Sequence, residues 1–97
     1  MLSTEPAYSV PFVVDRSAAP RLYRLRNMST EPVRAISLTH LGNGYAPPLA
    51  VRCLAPGAEL SIAVFGASHT DTGILVVRWR RPNDAEYLWR LNLSPMA

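Results

Sequence analysis

The chain has 97 residues, 48% of them hydrophobic and 18% charged, with a formal net charge of +3. That length sets one domain with a modest core, and that balance excludes a disordered chain. No apolar run reaches membrane-spanning length, and the single cysteine, Cys53, excludes an internal disulfide.

Residues 1–7 are expected to be a flexible N-terminus on a single domain covering 1–97. Met1 to Pro6 has no basic region leading into an apolar run, so no signal peptide is expected. With one cysteine, this points to a reducing compartment, cytoplasmic or particle-associated. Tyr8 to Val14 predicts a first strand, and Pro11 within it predicts an edge position, because proline cannot donate to a ladder. Arg21 to Asn27 predicts a second strand, with Tyr23 and Leu25 inward and Arg24 and Arg26 outward. Met28 to Pro32 is a turn, and Val33 to Leu41 a third strand. Gly42 to Pro48 carries Gly-Asn-Gly and Pro-Pro and must break the chain. Leu49 to Leu54 is a fourth strand, Ala55-Pro56-Gly57 a tight turn, and Ala58 to Phe65 a fifth strand with Leu60, Ile62 and Val64 on one face. Gly66 to Thr72 is a polar loop.

The last third, Gly73 to Leu93, predicts one long hairpin holding both tryptophans and four of the ten arginines. Its arms are Ile74 to Arg80 and Tyr87 to Leu93, rich in β-branched and aromatic residues. Arg81 to Glu86 between them is a cluster of turn formers. An odd loop centred on Asp84 pairs Trp79 with Trp89, Val77 with Leu91 and Leu75 with Leu93, and separates an apolar face from a charged one. An even loop sets Arg78 across from Trp89 and Arg80 across from Tyr87; it stays open because arginine stacks on aromatic rings. In the odd register Ile74 and Val76 share the outward face with Arg78 and Arg80. The strand is then apolar on both sides at its start, and something should cover it: the N-terminal segment, a crossing loop, or a partner subunit.

Seven short strands bounded by turn residues, with no helical period, predict an all-β fold: one seven-stranded antiparallel immunoglobulin-like β-sandwich without a disulfide. Two motifs carry a resemblance. Arg26-Asn27 is followed by Ser29 and Glu31-Pro32-Val33, and Leu54-Ala55-Pro56-Gly57 opens the strand Leu60 to Val64. Over Tyr23 to Val64, less than half the chain, this resembles bacterial immunoglobulin-like modules and the relatives of the PapD and major-sperm-protein sandwiches. In those modules an asparagine closes one strand and a Pro-Gly turn introduces a later one. The resemblance implies the fold and a binding role, and it transfers no functional residue.

The search for chemistry is brief. His40, Cys53, His69 and Asp71 are the candidate metal ligands, but only His69 and Asp71 share a loop, and a structural zinc site needs four close ligands. Ser68, His69 and Asp71 have the residue types of a hydrolase triad but lie too close in sequence to adopt its geometry. Cys53 alternates with Leu49 and Val51, which predicts a small core hydrophobe. Gly42-Asn43-Gly44 lacks the lysine and helix of a phosphate loop. No catalytic residue, metal or cofactor is therefore expected.

The arginine face is the remaining candidate. All ten basic residues are arginine; GC-rich bacterial or phage codon usage explains this as readily as selection for bidentate anion recognition. The expected partner-binding residues are Ile74, Val76, Arg78, Arg80, Leu88 and Arg90, with Arg81 at the hairpin tip. The expected function is a non-enzymatic protein-interaction or structural module, working through a protein partner or self-association. One form of it is a small phage or particle assembly or decoration protein. A nucleic-acid-binding accessory protein is the alternative, although both tryptophans are expected inward and so give no stacking platform.

Overall fold

The structure, a computed structural model, describes residues 9–42, 44–66 and 73–93. Seven strands follow one another: β1 (Phe12–Asp15), β2 (Leu22–Asn27), β3 (Val33–Leu41), β4 (Leu49–Leu54), β5 (Glu59–Ala63), β6 (Ile74–Arg80) and β7 (Glu86–Asn92). They form two antiparallel sheets, three strands in the order β1-β2-β5 and four in the order β4-β3-β6-β7. β1 pairs only with β2 and lies at the sheet edge as expected, but it begins at Phe12, so Pro11 precedes the strand instead of interrupting it. Among the described residues there is no helix, and so none long and apolar enough to cross a membrane.

Alternation builds the core. Tyr23 and Leu25 on β2, Leu60 and Ile62 on β5, and Leu75, Val77 and Trp79 on β6 all turn inward and are buried. Val64 joins them although the fifth strand ends one residue earlier, at Ala63. Phe12 stands edge-on to Trp79 at 5.2 Å between ring centroids and stacks on Trp89 at 6.2 Å, tying β1 to the final hairpin. The far end of that hairpin is fixed to the three-stranded sheet by Tyr23, whose hydroxyl donates to the Leu93 carbonyl (3.1 Å). Arg16 adds a bond from its guanidinium to the Asn92 carbonyl (2.8 Å).

The turn after β2 is organised by Asn27, the one buried polar residue among those described. Its Nδ2 donates to the carbonyls of Glu31 (2.9 Å) and Leu54 (3.0 Å). Its Oδ1 accepts from the Ser29 backbone N–H (3.0 Å) and hydroxyl (2.7 Å). Its backbone accepts from Gly57 and donates to Ala58. The two turn motifs of the sequence are thus one assembly, with the asparagine side chain at its centre.

The hairpin register differs from expectation by one pair. Trp79 faces Tyr87, Val77 faces Trp89, and Leu75 faces Leu91. The loop is odd, but the chain reverses about Asn83. Asp84 N–H bonds to the Arg81 carbonyl, Arg81 N–H bonds to the Ala85 carbonyl, and Asp84 sits at φ 68°. This is a three-residue hairpin loop with a left-handed third residue. Pro82 suits the first corner, and Glu86, read as part of the turn, pairs with Arg80 in the ladder. A slip of two residues leaves every side chain on its expected face.

Cys53 is a second correction: it is exposed. The cause is a phase change shared by β3 and β4. Ala35 takes φ 50° and forms a bulge, so Arg34 faces Arg80 while Ser37 faces Arg78. Across the bulge, Val33 and Ile36 are both buried and Arg34 and Ser37 are both exposed, three residues apart. β4 keeps step, with Val51 paired to Ile36 and Leu54 to Val33. Inward positions therefore run 49, 51, 54, and residue 53 falls outside.

Candidate functional site

The outer face of the four-stranded sheet is a lattice of cross-strand rows. Cys53, Arg34, Arg80 and Glu86 form the row nearest the hairpin tip. The next holds Ala50, Ser37, Arg78 and Leu88, then Thr39, Val76 and Arg90, and last Leu41, Ile74 and Asn92. All six residues expected from the sequence lie on this face, brought together by the two-residue period of β6 and β7. Leu88 is 54% exposed and Leu41 51%. Ile74 and Val76 are half-buried, flanked in their rows by Leu41 and Asn92 and by Thr39 and Arg90. The segments expected to cover them fall mainly in residues 1–8 and 67–72, outside the described residues.

Arg81 is not part of this face. It is committed to Glu31 through Nε (2.8 Å) and Nη2 (3.4 Å). That pair, helped by Tyr87, raises the guanidinium pKa further above its ordinary value. The Glu31 backbone is in turn held by Asn27 and Ser29. The hairpin tip is therefore anchored to the Asn27 assembly.

Two arginines were missed by the sequence reading. Arg34 on β3 and Arg52 on β4 join Arg80 in lining a groove of about 470 Å³, with Ala35, Ile36, Ser37, Ala50, Val51 and Asp84. The signal was present in the apolar spacing. Val33, Ile36 and Leu38 run three then two, and Leu49, Val51 and Leu54 run two then three. Each break marks the bulge that sends Arg34 outward.

Away from this face, the two outward arginines of β2 stand near acids. Arg24 lies 3.6 Å from Asp15, and Arg26 faces Glu59 across β2 and β5. Asp15 also accepts from the Ser17 N–H (2.9 Å). Its bonds to Ser17, with Arg24 adding attraction, hold its carboxyl below the ordinary 3.8.

Among the described residues no three His, Cys, Asp or Glu side chains group to hold a metal ion. Ser68, His69 and Asp71 lie outside the described residues. Comparison with protein-family models, with curated proteins and with solved structures finds no match to this chain.

Proposed function

We propose that this chain is a non-enzymatic protein-interaction module that binds through the outer face of its four-stranded sheet. The observation that carries this reading is the composition of that face. Arg34, Arg78, Arg80 and Arg90 surround Leu88, Val76 and Ile74, with Glu86 the one acid in the rows. Aliphatic side chains supply burial, and guanidiniums orient a partner bearing carboxylates. Trp79 and Trp89 both turn inward, so the face offers aliphatic contact rather than base stacking, which favours a protein partner over a single-stranded nucleic acid.

The strand order supports an immunoglobulin-like assignment. With the strands lettered in sequence, β1-β2-β5 matches the A-B-E sheet and β3-β6-β7 the C-F-G sheet. β4 leaves β5 and pairs with β3, a variation within the same sandwich architecture.

Size-exclusion chromatography with light scattering and a 260/280 nm trace tests the reading, on the native chain and on Leu88→Glu. A defined oligomer that Leu88→Glu converts to monomer supports association through this face. Co-eluting nucleic acid that salt removes would replace the protein reading. A clean monomer confines it to a heterologous partner, which is tested by a photo-cross-linker at position 88 compared with one at Ser61, on the opposite sheet. Equal labelling from both positions, or none from 88, sinks the proposal.

A further inference from the structure

We propose that the groove formed by Arg34, Arg52 and Arg80 is a carboxylate seat that takes a short acidic segment of the partner protein. This rests on the reading of the outer face as an interface and extends it across the sheet to β3 and β4, which the hairpin alone does not include.

Three observations lead there. The first is an electrostatic cost. Arg34 and Arg80 occupy directly opposed positions on β3 and β6, where like charges repel. Arg52 adds a third guanidinium to the same groove. The second is that, among the described residues, no local acid neutralises the groove, a state Arg21, Arg26, Arg78 and Arg90 share; the groove differs in bringing three such guanidiniums together. Arg24 and Arg81 have acidic partners within 4 Å, and Arg16 is bonded to a carbonyl. No ion pair within that distance joins Arg34, Arg52 or Arg80 to Asp84 at the lip or to Glu86 beside Arg80. Counting both acids, the site still carries an excess positive charge. The third is shape. The groove is open, its sides include Ala35, Ala50 and Val51, and it continues along the Cys53–Arg34–Arg80–Glu86 row into the hairpin face. Guanidiniums around a partly apolar trough suit carboxylates borne on short side chains, and the trough's continuity with the hairpin face suits a peptide crossing both.

The bulge at Ala35 makes the site possible. Were β3 regular through this stretch, Arg34 and Ser37, three residues apart, would fall on opposite faces, and the Arg34 guanidinium would leave the groove. Its anchorage comes from the Arg81–Glu31 pair, which fixes the tip carrying Asp84.

Cys53 provides a native probe, since it is exposed, opposes Arg34 in register and is the sole cysteine. Alkylation by iodoacetate, an anion, is compared with alkylation by neutral iodoacetamide; the ratio cancels differences in thiolate fraction. The groove's field should raise that ratio. Arg34→Ala combined with Arg52→Ala should lower it about threefold, the effect of a few partly screened charges within a Debye length. Arg78→Ala with Arg90→Ala removes the same charge elsewhere on the face and should change it much less.

The ligand arm uses an end-capped tetraglutamate peptide, with inorganic pyrophosphate alongside. At about 1 mM the peptide should slow iodoacetamide labelling of Cys53 about twofold or more in the native chain and not in Arg34→Ala/Arg52→Ala. Protection by pyrophosphate alone would overturn the peptide assignment in favour of a phosphate ligand. An unchanged reagent ratio, or equal loss of protection in both double variants, would overturn the groove as a site. Either failure leaves the hairpin-face reading standing, because that reading is judged from position 88. All four arginines are exposed, so the variants should fold, and tryptophan fluorescence checks that they do.

Discussion

Replacing Asn27 by alanine should remove a large part of the chain's stability. The side chain is 0% exposed and makes four hydrogen bonds. Alanine cannot replace any of them, and water has no ready access. The Leu54 carbonyl loses its Nδ2 donor, and the Ser29 N–H loses its acceptor. The Glu31 carbonyl keeps the Ser29 hydroxyl at 2.9 Å, so it is only partly orphaned. Two stranded backbone groups at about 1–3 kcal/mol each, plus about 1 kcal/mol for a small cavity, give a loss of roughly 3–7 kcal/mol. A domain of this size holds about 5–15 kcal/mol in total. Urea unfolding followed by tryptophan fluorescence measures the loss, since buried Trp79 reports global packing. Asn27→Asp sharpens the argument. The carboxylate still accepts from Ser29 but turns a negative oxygen toward the Glu31 and Leu54 carbonyls. Its folded pKa is thereby raised, so the folded state holds the proton more tightly. The variant's deficit relative to the native chain should shrink as the pH falls from 7 toward the ordinary carboxylate range. An Asn27→Ala loss under about 1 kcal/mol with an unchanged denaturant slope would refute the view that this side chain organises both turns.

Three further outcomes are expected. Cys53 should react with a thiol reagent in the folded chain at a rate that does not track global unfolding, because it lies on the exposed side of the β4 phase change; protection equal to the unfolding free energy would contradict that placement. A double-mutant cycle on Trp79 and Tyr87, stacked at 6.0 Å, should give a coupling of about 0.5–1.5 kcal/mol, and a larger coupling of Trp79 to Trp89 would restore the register expected from sequence. Asp15 has a lowered folded pKa, so its small contribution is present above the ordinary carboxylate value and lost as pH falls through the lowered one. Asp15→Asn should therefore differ from the native chain at neutral pH and converge with it in acid, as seen in urea midpoints across that window.

The strands were legible because period two is a strong signal where one face is buried. β3, β4 and the first arm of the hairpin begin and end where the sequence places them, and Tyr23, Leu25, Leu60 and Ile62 are inward as alternation demands. The hairpin face was legible for the same reason, and it survived a register error because that error was an even number of residues. What failed was phase inside a strand. Leu49 and Val51 set an expectation for Cys53 that holds only without a bulge, and the bulge is created by Ala35, on the neighbouring strand. Alanine carries no signature for a left-handed backbone, so nothing at position 35 announced it. Arg34 and Arg52 were overlooked with it, since their convergence depends on how β3 and β4 pair. The role of Asn27 was half visible: its turn motif could be read, but its bond to Leu54 spans 27 residues.

The matched phase change in β3 and β4 has a consequence for how the chain can vary in length. Deleting Ala35 alone would make β3 regular against β6 but leave Arg52 unopposed on β4. Deleting Arg52 alone would leave Ala35 without its counterpart. Removing both would restore an unbroken ladder across three strands, at the expense of the groove. Insertions and deletions in these two strands are therefore coupled, and drift in their length should occur in pairs. A shortened chain of this kind would keep its sandwich and its hairpin face while losing the arginine-lined hollow beside them.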